Sequence, residues 1–176
     1  MSLAYSVTGM PMFLIAVGIS FAAATADTWA SEIGVLSARR PVSILSGRPL
    51  ARGTSGGVTP LGFAASAGGA ALIAVVFAVG WGLQRGWVPA LVPVALVITA
   101  GGFLGSVIDS VLGATVQAQY ADRETGTPTE RRLPAAGAGI PNQLTSGFAA
   151  ITNDAVNAIS CVLSTAAGAG LYALAM

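Results

Sequence analysis

The chain has 176 residues, with eight Arg, no Lys, seven acidic residues, no His and a single Cys, Cys161. Hydrophobic residues make up 54%, charged residues 9%, and the mean hydropathy is +0.76. A water-soluble domain carries about 25% charged residues, so these charges are too few to cover a water-facing surface, and the chain reads as an integral membrane protein. Without His or Lys, Ser-His-Asp triads, Cys-His nucleophiles, Walker-type loops and Schiff-base lysines are excluded, and so are zinc sites. A lone Cys forms no internal disulfide. The net charge of +1 gives no argument for a nucleic-acid partner.

Four apolar stretches are long enough to span, since a spanning helix needs about 20 mostly apolar residues. The sequence predicts them at Leu3–Ala26, Leu61–Leu83, Trp87–Gln119 and Asn142–Ala173. The predicted class is all-α, a polytopic transmembrane helical bundle forming one domain over residues 1–176. Ala24-Thr25-Ala26 imitates a signal cleavage site, but no positive segment precedes it and Asp27 follows, so a span is expected there. The last two stretches exceed the thickness of the hydrocarbon core and must project or break. A break is expected near Thr152-Asn153-Asp154, where Asn and Asp side chains compete with the helix.

The two long connections, 27–60 and 120–141, hold seven of the eight Arg. The positive-inside rule places both in the cytoplasm and both termini outside. Trp81 and Trp87 then bracket an outer turn, with Tyr5 and Tyr172 at outer ends and Trp29 and Tyr120 at the inner interface. Thr59 and Pro60 form a start signal for the second span. Glycine pairs such as Gly68-Gly69 and Gly101-Gly102 suggest close helix packing.

Asp27, Glu32, Asp109 and Asp154 stand beside apolar runs, all near the same ends of the spans. An ionisable group at membrane depth is costly and is a functional candidate. On the third span Gly102, Ser106, Asp109, Ser110, Gly113 and Gln117 form one stripe. On the fourth, Asn142, Ser146, Asn153, Asn157, Ser160 and Ser164 form another, with Asp154 at its edge. Hydroxyl stripes alone are more often helix glue. Gathered carboxylates favour a metal site, and oxygen-only ligands favour Mg²⁺ or Mn²⁺. Arg52-Gly53-Thr54-Ser55-Gly56-Gly57 is a Gly-rich loop before a helix start, flanked by Arg48, and such loops can cradle phosphate. This inventory fits phosphoryl or nucleotidyl transfer, which needs no strong base when the acceptor is itself a phosphate. A cation-coupled transporter or channel is the alternative of another class; clustering of the acids on one side argues against it.

The segments from Ala24 to Gly34, Gly53 to Val58 and Gly105 to Gln117, with Asn153 to Asn157, resemble a membrane family long catalogued as a domain of unknown function. It includes phytyl-phosphate kinase and is distantly similar to dolichol kinases and phosphatidate cytidylyltransferases. The resemblance implies CTP-dependent phosphorylation of an isoprenoid monophosphate to its diphosphate; a cytidylyltransferase making a CDP-lipid is the close alternative. It implies catalytic roles for Asp27, Asp109 and Glu32, and a metal site of Asp27, Asp109 and Asp154. Arg48, Arg52, Gly53, Thr54, Ser55, Gly56 and Gly57 would bind nucleotide phosphates, with Gln117, Asn153 and Asn157 as further polar members. Partners would be a lipid phosphate, a nucleotide and the membrane, with a homo-oligomer left open. The protein would be a multi-pass protein of the cell membrane with its site on the cytoplasmic side. Family members are longer, with an Arg/Gln/Asn-containing motif ahead of the first motif here. A compact natural form, a truncation and a partial gene model all stay open.

Overall fold

The computed structural model describes residues 1–134 and 140–175; residues 135–139 of the second long connection lie outside it. Four helices are long and apolar enough to cross a membrane: α2 (Pro11–Gly34), α3 (Pro60–Arg85), α4 (Leu91–Thr115) and α5 (Asn153–Ala175). A short α1 (Ser2–Thr8) precedes them. The fold is an all-α bundle of four membrane-spanning helices.

The boundaries differ from expectation in an instructive way. The first span is Pro11–Gly34, not Leu3–Ala26. Gly9, at φ 69°, ends α1, and Pro11 suits the first turn of α2. Asp27 and Glu32 therefore lie within the last turns of α2 rather than beyond its end. The third span stops at Thr115, so Gln117 falls past the helix instead of on its stripe. The fourth begins only at Asn153, so Asn142 and Ser146 do not extend its stripe. The break expected at Thr152–Asp154 is a helix start: the Thr152 hydroxyl oxygen accepts from Ala155 N at 3.3 Å, as an N-cap does. The chain before it is non-helical, with Asn142 in a loop and Ser146 at the end of a strand.

Thr59 caps α3 as expected, its Oγ1 accepting from Gly62 N at 3.0 Å. Both long connections carry small antiparallel sheets that no sequence period announces. In the first, β1 (Val42–Ser43) pairs with β2 (Gly57–Val58). In the second, β3 (Gln119–Ala121) lies between β4 (Pro128–Thr129) and β5 (Gln143–Ser146). Asp122 closes the β3–β4 turn. Its carboxylate accepts from Thr125 N and Oγ1 and from Glu124 N, and these bonds hold it below the usual carboxylate range.

Inside the bundle α2 and α4 pack on every other span, so α3 and α5 fall on opposite sides of that pair. The core is built of small residues with a few isoleucines: Ala22, Ala26, Ala70 and Ala74 with Ile15, Ile19 and Ile98. Large side chains such as Phe21, Leu72, Val75, Leu96 and Val162 point outward. This is the arrangement expected where lipid surrounds the protein and van der Waals packing joins the helices. At Gly102 of α4 a Cβ would come within 2.6 Å of the Ala22 Cβ of α2. At the short-turn end the Arg85 guanidinium lies 5.0 Å from the Tyr5 ring and 4.7 Å from that of Trp81, a cation–π pair of contacts that ties α1 to α3.

Candidate active site

The ends of the four spans that carry the long connections enclose a cavity of about 540 Å³. Its wall is formed by α2, α3 and α4, and its mouth by the Gly-rich loop and the second connection. Asp27 from α2, Asp109 from α4 and Glu130 from the second connection all line it. The Ser160 hydroxyl of α5 donates to Asp109 Oδ2 at 3.1 Å, which fixes the carboxylate from behind.

The Gly-rich loop is held by its own turns. Thr54 N donates to Ala51 O at 3.3 Å and Gly57 N to Thr54 O at 3.1 Å. Those two amides are therefore engaged within the loop. Gly56, at φ 76°, lies on the end of α4, where a Cβ would collide with Ala114; only glycine meets both demands. Arg52 donates from Nη1 to Val35 O at 2.6 Å and from Nη2 to Ser37 O at 2.8 Å. Its guanidinium thus binds carbonyls just past the end of α2, where a cation is favoured, and anchors the loop there.

Three segments far apart in sequence meet at the mouth. Glu130 Oε1 accepts from Ser55 Oγ at 2.9 Å and from Gln117 Nε2 at 2.8 Å, and Gln117 Nε2 lies 3.1 Å from Ser55 Oγ. Gln117 is 2% exposed. This triangle joins the Gly-rich loop to both sides of the second connection.

Of the predicted residues, Asp27, Asp109, Arg52, Gly53, Thr54, Ser55, Gly56, Gly57, Gln117 and Asn153 line the cavity together. Glu32, Arg48, Asp154 and Asn157 do not. Glu32 is exposed on the last turn of α2, and Arg48 is exposed in the β1–β2 connection. Asp154 is exposed in the first turn of α5, where a carboxylate complements the helix dipole. Asn157 is half-buried, and its Oδ1 is buried without a partner. Among the described residues, no three acidic or Cys side chains are gathered closely enough to hold a metal ion by themselves. Sequence reasoning missed Glu130, Arg131 and Ser66, which also border the cavity. Glu130 and Arg131 read as part of a solvated charged connection, and Ser66 is hidden in an Ala/Gly-rich run.

The chain is 31% identical to Protein PGR of Arabidopsis thaliana over 150 residues, covering 82% of this chain and 50% of that protein. It is 36% identical to the uncharacterized membrane protein MJ0933 of Methanocaldococcus jannaschii over 109 residues, 62% of this chain and 42% of that one. The chain therefore spans about half the length of these curated relatives. No solved structure matches it. The family model described as integral membrane protein DUF92 matches residues 1–165, nearly the whole chain, and the protein belongs to that family.

Proposed function

We propose that the protein transfers a phosphoryl group from CTP to an isoprenoid monophosphate, giving the diphosphate, at the end of the bundle that faces the cytoplasm. The observation that carries this reading is the convergence of Asp27, Asp109, the Gly-rich loop and Gln117 on one cavity in a membrane bundle. The resemblance of those same motifs to the prenyl-phosphate kinases supplies the reaction class. The Arg content of both connections supplies the side of the membrane.

The donor set suits Mg²⁺ or Mn²⁺. Mg²⁺ is commonly bound through one or two carboxylates plus substrate phosphates rather than by an all-protein cage. Asp27 and Asp109 are two such carboxylates on one cavity, and Glu130 rather than the exposed Asp154 is the third acid that lines it. When bound, the cation would neutralise charge on the phosphates. The chain's own groups do the rest. The loop 53–57 and Arg131 border the space for nucleotide phosphates, while Arg52 anchors the loop. Gln117 and Glu130 hold the loop against the end of α4. An oxygen of the acceptor phosphate attacks the γ-phosphorus of CTP, the bond to the β,γ-bridging oxygen breaks, and CDP leaves. The acceptor is already ionised near neutral pH, so the absence of His is no obstacle.

The test is transfer from labelled CTP to a prenyl monophosphate by the purified chain in lipid nanodiscs. Release of CDP with the prenyl diphosphate is expected; pyrophosphate release would mean a cytidylyltransferase, and no CTP-dependent product would overturn the proposal. Asp109→Asn keeps size and one acceptor oxygen but loses the charge. It should cost several kcal/mol of transition-state stabilisation, a loss of at least about 100-fold, with the fold intact. Near-normal turnover by a well-folded Asp109→Asn protein would remove Asp109 from the mechanism.

A further inference from the structure

Four buried polar side-chain atoms among the described residues lack a hydrogen-bond partner: Ser66 Oγ, Asn142 Oδ1, Asn157 Oδ1 and Thr165 Oγ1. Of these residues, Ser66 alone borders the cavity. It is 1% exposed. An unpartnered buried hydroxyl is a standing cost to the fold, so its retention beside a cavity calls for something that it bonds.

The position of Ser66 narrows what that is. It lies six residues into α3 from Pro60, about 9 Å along the helix. Asp109 lies about 9 Å and Ser106 about 13 Å before the end of α4, and Asp27 about 10 Å before the end of α2. All four border the same cavity. Three spans thus place two carboxylates and two hydroxyls at similar depth, below the Gly-rich loop at the mouth. Phe63 and Gly62 of α3 and Ala30 of α2 line the adjacent wall. A polar group recessed to this depth beside apolar wall suits the head of an amphiphile better than a nucleotide, whose base and sugar want water.

Building on the kinase reading above, we propose that Ser66 Oγ donates a hydrogen bond to a phosphate oxygen of the acceptor, in a subsite walled by Ser66, Ser106, Asp27 and Asp109. A fully ionised phosphate offers acceptors only, and a Ser hydroxyl supplies the donor that two ionised carboxylates cannot. The nucleotide phosphates stay at the loop above.

Ser66→Ala tests this, because removing a buried hydroxyl that bonds nothing in the free protein does not lower the ligand-free melting temperature, and relief of its desolvation cost raises it slightly. Thermal-shift titration with geranylgeranyl monophosphate in Mg²⁺, without nucleotide, should show affinity about tenfold weaker than wild type. Stabilisation by CTP with Mg²⁺ and binding of geranylgeraniol should match wild type. In turnover the KM for the prenyl phosphate rises while the KM for CTP does not. Equal affinity of Ser66→Ala and wild type for the prenyl phosphate would overturn the subsite, as would a loss confined to CTP or a wild-type protein that does not bind the prenyl phosphate. A selective loss of prenyl-phosphate binding in a protein that transfers nothing from CTP would uphold the subsite and overturn the kinase reading alone.

Discussion

Glu130 accepts two hydrogen bonds through one oxygen, from Ser55 and from Gln117, and so ties together segments 62 and 75 residues distant in sequence from Ser55. Either bond alone is modest, but both are charge-assisted and one partner is buried. Glu130→Ala should therefore free the Gly-rich loop while leaving the bundle intact. Hydrogen exchange over residues 51–57 should quicken markedly with helical content unchanged, and Glu130→Gln, which keeps an accepting oxygen, should retain most of the protection. Unchanged exchange in Glu130→Ala would mean that the turns within the loop suffice. Asp27 and Asp109 were legible in the sequence because a carboxylate inside an apolar run is conspicuous. Glu130 was not, since it reaches the cavity only through the pairing of β3 with β4. Ser66 stayed hidden for the opposite reason: a small polar residue in a run of Ala and Gly reads as packing.

At the scale of the helices, composition located four spans and set the second within two residues of both its ends, but misplaced an end of each of the other three. Apolar residues continue past the caps, and only the caps mark the stops. Thr59-Pro60 was readable because both signals are adjacent, and Thr152-Asn153-Asp154 was readable as a break, though not as a helix start; the αL glycine at Gly9 stands in sequence that continues an apolar trend unchanged. Strands of two to four residues have no period to read, so the sheets of the connections were invisible. The glycine pairs did foretell packing. Gly102→Val should destabilise the bundle by about 1–3 kcal/mol, because the new side chain must push α4 off α2. Gly80→Val, at a position with nothing within 4 Å of a new Cβ, is the matched control and should change stability far less. Unfolding in a mild detergent measures both; equal effects would show that the contact of α4 with α2 is not tight.

For the molecule as a whole, the odd–even alternation of four spans puts both long connections at one end, and the cavity lies there. That much was legible from span count and loop length. In a Cys161→Ala background, Leu50→Cys and Pro128→Cys should both react with an impermeant thiol reagent only from the cytoplasmic side. Reaction of both from outside would invert the protein and move the proposed site to the other face.

The small-residue core between α2 and α4 bears on how such a chain can change over time. In a water-soluble domain the interior resists substitution and the exterior drifts. Here the large outward residues, Phe21, Leu72, Val75, Leu96 and Val162, face a solvent indifferent to which aliphatic or aromatic group it meets, and they can interchange at little cost. The α4 glycines that face α2 have no such freedom, because growth by even one methyl is resisted there. Divergence would accumulate as swaps among bulky hydrophobic residues, with the least imposing residues held constant, so a similarity score that rewards matched large side chains would undervalue true kinship within this fold.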